Sequence, residues 1–156
     1  MKRLPDYYFI SNRYAAKQTV VNEAQARHLV QLIRYLEKCL IEHFKVRSAG
    51  DMPYERFEEI FDQAPYFLFI EGAYACGFVF RDGKPENPLV ETGDRPEVQI
   101  ASWTFPTLRQ YIHFLLRNER WADAQASPVL LALISGHLQQ VAARLESDST
   151  LYANDF

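Results

Sequence analysis

The sequence predicts an α+β domain: an N-terminal helix pair, a small antiparallel sheet made of a hairpin and a third strand, and a C-terminal helix pair. Three observations predict it. Apolar residues recur at helical spacing from Asn22 to Phe44, an aromatic run without polar alternation fills residues 66–80, and helical spacing returns after Thr104. A chain of 156 residues buries roughly two-thirds of the surface that its unfolded form exposes, so a single globular domain over 1–156 needs no disulfide or metal staple. The polar end, with Ser147-Asp148-Ser149-Thr150, reads as a flexible tail over 148–156.

Each element has its own signal. Ala26, Leu29, Val30, Ile33, Leu36, Leu40, Ile41 and Phe44 fall on one stripe of a long helix. Asn22 with Gln25 three residues on is a capping box, and Ser48-Ala49-Gly50-Asp51 breaks the helix afterwards. Phe57, Ile60 and Phe61 suggest a short second helix over 53–63, stopped at Ala64-Pro65 because the residue before proline avoids the helical region. Residues 66–70 and 73–80 then read as two strands around the turn signal Glu71-Gly72. A proline-rich loop runs to Pro96, and Val98 and Ile100 share one face of a third strand over 97–103. Leu108, Tyr111, Ile112, Leu115 and Leu116 give the first closing helix, with Pro106 in its first turn. Ser127-Pro128 opens the last one, which continues to about Ser147 through Gly136. Tyr7-Tyr8-Phe9-Ile10 offers a further strand.

Composition narrows the function classes. Seventeen Lys and Arg against twenty Asp and Glu leave a net charge of -3, without the basic excess that phosphate-backbone binding uses. Nucleic acid is therefore not an expected partner, although Lys2, Arg3, Arg13 and Lys17 cluster near the start. Cys39 and Cys76 are too few for a disulfide framework and predict free thiols, a reducing compartment and a cytoplasmic protein. No secretory signal and no membrane span is readable. The six glycines form neither G-x-G-x-x-G nor a phosphate-binding loop, and there is no G-x-S-x-G or H-E-x-x-H pattern. No cofactor is expected, and an enzyme is the less favoured reading.

Three weaker constellations have bland explanations. Cys39 and His43 lie four apart on one helix, but a zinc site would need ligands from the isolated Cys76, His113 and His137, so no metal is expected. A Cys39–His43 nucleophile pair lacks a visible third group to orient the imidazole. Gly77-Phe78-Val79-Phe80 is similar to the aromatic strand on which RNA-recognition sheets stack bases. It lacks the basic residue before the glycine and the required strand order, and core packing explains it.

The densest polar constellation is Arg117-Asn118-Glu119-Arg120-Trp121-Ala122-Asp123, at the joint of the last two helices. Arg117 or Arg120 can hold an anion or a partner's carboxylate, and Glu119 or His113 is the candidate acid–base group. The structural alternative has the arginines favouring the helix dipole or pairing with Glu119 and Asp123, while Trp121 staples the helices.

This region also carries a resemblance. Thr107-Leu108-Arg109, then Arg117-x-x-Arg120-Trp121 with Glu119 and Asp123, then Gly136-His137-Leu138 and Arg144-Leu145, resemble the C-terminal end of a family of uncharacterised bacterial proteins. In that family a helix beginning T-L-R leads to R-x-[DE]-R-F, a short acidic-glycine step, G-H-[IL] and a closing R-L. Here Trp121 stands where phenylalanine is usual, and residues 122–127 form a longer step without the glycine. The resemblance implies a bacterial cytoplasmic origin and no reaction; residues 1–105 carry none of it.

The functional expectation is a small protein acting through protein–protein interaction or self-association, a homodimer being one form of the latter, with Arg117, Glu119, Arg120, Trp121 and Asp123 as ligand- or partner-binding residues. The alternative is an enzyme or a binder of a small anionic ligand at the same joint.

Overall fold

A computed structural model describes residues 21–61, 63–80, 84–90 and 95–147 of the chain. Asn22 opens the first helix, α1 (Glu23–Phe44), as its neighbours indicate: its Oδ1 accepts from the Gln25 amide at 2.8 Å, and Gln25 Oε1 accepts from the Asn22 amide at 2.9 Å. Lys45 closes α1 in the left-handed conformation at φ 56°. The buried stripe of α1 is Ala26, Leu29, Val30, Ile33, Leu36, Leu40 and Phe44, and it packs on α2 (Ala64–Ala75) and on α6 (His137–Ser147).

Three further helices complete the core: α3 (Pro96–Ser102), α4 (Phe105–Glu119) and α5 (Pro128–Ile134). α3 lies against α6, and α5 lies against both α4 and α6. Pro106 and Pro128 sit in the first turns of α4 and α5, where a missing amide hydrogen costs nothing. Short 3₁₀ turns at Ala49–Asp51, Tyr54–Glu59 and Ala124–Ala126 fill the connections, the last two packed against each other.

The described residues contain helices and no strand or sheet, so the domain is all-α and the α+β expectation is overturned. The first strand of the supposed hairpin and the first three residues of the second fall in α2. Residues 64–75 are apolar on nearly every side of that helix although only Tyr66, Phe69, Ile70, Ala73 and Tyr74 are buried, and a segment apolar all round shows no helical periodicity in its sequence by which to tell it from a buried strand. Ala64-Pro65 starts this helix rather than stopping one, because proline suits a first turn as well as it breaks an interior. Gly72 is not a turn; it lets α1 approach, and a methyl group added there would overlap the Leu32 side chain.

The third strand over 97–103 is α3. Val98 is 48% exposed and Ile100 fully buried, so the two do not share a face as strand alternation requires. The second helix over 53–63 is replaced by the Tyr54–Glu59 3₁₀ turn, which still buries Phe57. The last helix is two, because Gly136 takes φ 86° and turns the chain between α5 and α6. The Tyr7–Ile10 strand, the basic residues near the start and the tail over 148–156 lie outside the described residues.

Candidate functional site

The joint between α4 and α5 has an inner and an outer half. Glu119, in the last turn of α4, is turned inwards and has no exposed surface. Its Oε2 accepts from the Tyr66 hydroxyl of α2 and from Ser127 Oγ at 2.6 Å, and its Oε1 accepts from the Val129 amide at 2.9 Å. Ser127 caps α5, its Oγ accepting from the Leu130 amide at 3.1 Å. One carboxylate thus ties the end of α4 to the start of α5 and to α2.

Burial pushes the Glu119 carboxyl above the usual carboxylate range, and the donors Ser127, Tyr66 and Val129 offset that only in part. Burial and the neighbouring Glu119 raise the Tyr66 hydroxyl well above its ordinary value, so it stays protonated and donates. The arrangement is an enclosed clamp with every described donor matched to a carboxylate oxygen.

The outer half faces solvent. Trp121 is 64% exposed, and the Arg120 guanidinium carbon stands 4.8 Å from its ring centroid. Arg117 and Asp123 are half-buried. Gln125 Nε2 donates to the Glu55 carbonyl at 3.4 Å, which docks the 124–126 turn on the 54–59 turn beside Tyr54, itself 55% exposed. The structure therefore divides the five residues singled out at the joint: Glu119 goes to the core, while Arg120 and Trp121 pair on the surface.

Cys39 and His43 lie half-buried in the last turns of α1. His43 Nε2 meets Glu59 Oε1 at 3.0 Å, and Arg56 grips the same carboxylate through Nε at 2.6 Å and Nη2 at 3.0 Å. Those two partners, Arg56 first, hold the Glu59 carboxyl down at about 2. Glu59 is thus an orienting carboxylate for His43 that sequence reasoning missed. Nothing in local spacing could find it, because the 3₁₀ turn brings it back from sixteen residues away. Among the described residues no group of three His, Cys, Asp or Glu side chains is arranged to hold a metal ion. Cys39 and Cys76 are free, and burial pushes the Cys76 thiol up.

Gly77 to Phe80 form no exposed stacking platform. Phe78 and Val79 are fully buried, and Arg109 of α4 donates to the Gly77 carbonyl through Nε at 3.0 Å and Nη2 at 2.7 Å. His113, also fully buried, accepts from the Phe80 amide through Nδ1 at 3.3 Å while its ring stacks on Phe80 at 4.2 Å. Arg109, Phe80 and His113 form a layered plug against α4, the guanidinium carbon 4.6 Å from the phenyl centroid.

An open cleft of about 330 Å³ lies where α4, α5 and the start of α6 meet. Leu89, Phe114, Leu115 and Leu131 supply apolar walls, and Asn87, Tyr111, Ser135 and His137 supply polar atoms. The segment 84–90 forms one side and is pinned by two glutamines. Gln110 Nε2 donates to the carbonyls of Lys84 and Glu86 at 2.7 and 3.0 Å, and Gln99 makes a two-way pair with the Val90 backbone at 3.1 and 2.9 Å. Tyr111 Oη and His137 Nδ1 stand 3.4 Å apart. Burial lowers the His137 imidazole from its ordinary value, opposed by the charge of Glu97, and burial raises the Tyr111 phenol. None of the five joint residues lines this cleft.

No known protein family, curated protein or solved structure matches the chain. Of the residues that the sequence reading expected to form a family motif, Gly136 makes the α5–α6 turn and Arg144 Nε donates to the Trp103 carbonyl at 3.0 Å, tying α6 to the end of α3. Among the described residues no helix is long and apolar enough to cross a membrane.

Proposed function

We propose that the protein acts by protein–protein association through the outer half of the α4–α5 joint, with Trp121 as anchor, and that the partner fitting this surface is a second copy of the chain. The observation that carries the reading is the 64% exposure of Trp121 under the Arg120 guanidinium. A tryptophan stapling two helices would be buried; this one leaves a large apolar ring in water, and tryptophan and arginine are the residues that concentrate binding energy when an interface covers them. The patch carries both signs, with Arg117 and Arg120 close in sequence to Asp123. A two-fold axis through it sets basic groups of one copy against acidic groups of the other, as an isologous contact requires. The reading as an anionic-ligand enzyme has less support, since both of its acid–base candidates, Glu119 and His113, have no exposed surface.

Light scattering over a concentration series tests this. The parent chain is expected as a dimer whose melting temperature rises with concentration, and Trp121→Ser as a monomer with the same helical circular dichroism and no such rise. A parent that stays monomeric to its highest soluble concentration, or a dimer that survives Trp121→Ser, overturns the proposal.

A further inference from the structure

We infer that the cleft between α4, α5 and the start of α6 is a binding site for a small uncharged molecule that is mainly apolar and carries one hydroxyl group. The size of about 330 Å³ stands at the lower end of small-molecule sites. Among the described residues its lining holds no lysine, arginine, aspartate or glutamate, so a charged ligand would lose hydration without gaining an ion pair from those lining side chains. Phe114 and Leu131 offer an apolar body contact. At the polar end, Tyr111 and His137 face each other at 3.4 Å, longer than a well-formed O–H···N bond. A ligand hydroxyl both donates and accepts, so it completes that pair where a carbonyl or an amine completes half of it. The wall opposite is set in place before any ligand arrives, because Gln110 and Gln99 hold the 84–90 backbone by four hydrogen bonds.

The test is titration of the full chain with p-cresol, toluene, benzoate and benzylamine, followed by backbone amide NMR shifts. The expected result is saturable shifts in 111–115 and 131–137 with p-cresol, binding roughly fivefold weaker with toluene for the lost hydrogen bonds, and no saturable shift with either charged probe. Leu131→Glu, at a position 39% exposed and therefore tolerant of charge, abolishes the p-cresol shifts with the fold retained. His137→Gln, which keeps a hydrogen-bonding side chain, weakens p-cresol towards the toluene value and leaves toluene unchanged. Absence of saturable p-cresol shifts, equal binding of benzoate, or p-cresol shifts that survive Leu131→Glu overturns the assignment. Because no joint residue lines the cleft, either result stands independently of the dimer proposal.

Discussion

The hydroxyl of Tyr66 on α2 donates to the carboxylate of Glu119 at the end of α4, across fifty-three residues of chain, with both side chains fully buried. A polar pair in that position closes three elements at once, because the same carboxylate also receives Ser127 and the first turn of α5. Its value lies in mutual satisfaction: each donor would be left unpaired in an apolar interior if the acceptor were removed.

Glu119→Ala is therefore expected to lower unfolding free energy by about 2–4 kcal/mol, since it strands three donors. Tyr66→Phe and Ser127→Ala each remove one donor from a carboxylate that keeps two, and about 1–2 kcal/mol is expected for each. Urea unfolding checks these values. A double-mutant cycle between positions 66 and 119 should give a coupling above about 0.5 kcal/mol. Additive effects would show that the pair is only adjacent.

The pH dependence has two opposed parts. The folded-state value of Glu119 is raised by burial, so its stabilising share is complete below the unfolded value of about 4.3 and is lost as pH rises through the folded value. Glu59, held at about 2 by Arg56 and then His43, behaves in the opposite sense: its share is present above the unfolded value and is lost as pH falls towards 2. Urea midpoints measured against pH should thus show Glu119→Gln gaining on the parent as pH rises from about 4. Glu59→Gln should fall behind the parent at neutral pH and rejoin it in acid.

Gly72 and Leu32 form a coupled contact between α2 and α1. Alanine normally improves a helix interior over glycine by about 1 kcal/mol. In the parent the added methyl meets the Leu32 side chain, so Gly72→Ala is expected to destabilise by about 1 kcal/mol. In a Leu32→Ala background the obstruction is gone, and the same change should stabilise by about 1 kcal/mol. Thermal unfolding of the four proteins reads the reversal of sign directly.

Legibility in the sequence follows the range of the interaction. Asn22 with Gln25 and Ser127 before Pro128 were readable because caps are local chemistry within a few residues. The α1 stripe was readable because one face is buried and the other wet. α2 was not: with Tyr66, Phe69, Ile70, Ala73 and Tyr74 buried and Leu68 outside, it has no amphipathic period, and its aromatic content mimics a strand. At the joint, residue types marked a polar cluster without telling which side chain faces in.

By itself the sequence determined where α1, α4 and α5 begin, the absence of phosphate-loop and zinc-helix motifs, and the polar density at 117–123. These depend on neighbours along the chain. Tertiary structure alone decided that residues 64–75 are helical, that Glu119 is enclosed while Trp121 stays in water, and that Tyr111 meets His137 in a cleft. Burial and pairing across tens of residues are properties of packed elements, and packing selects among conformations that local propensity leaves nearly equal.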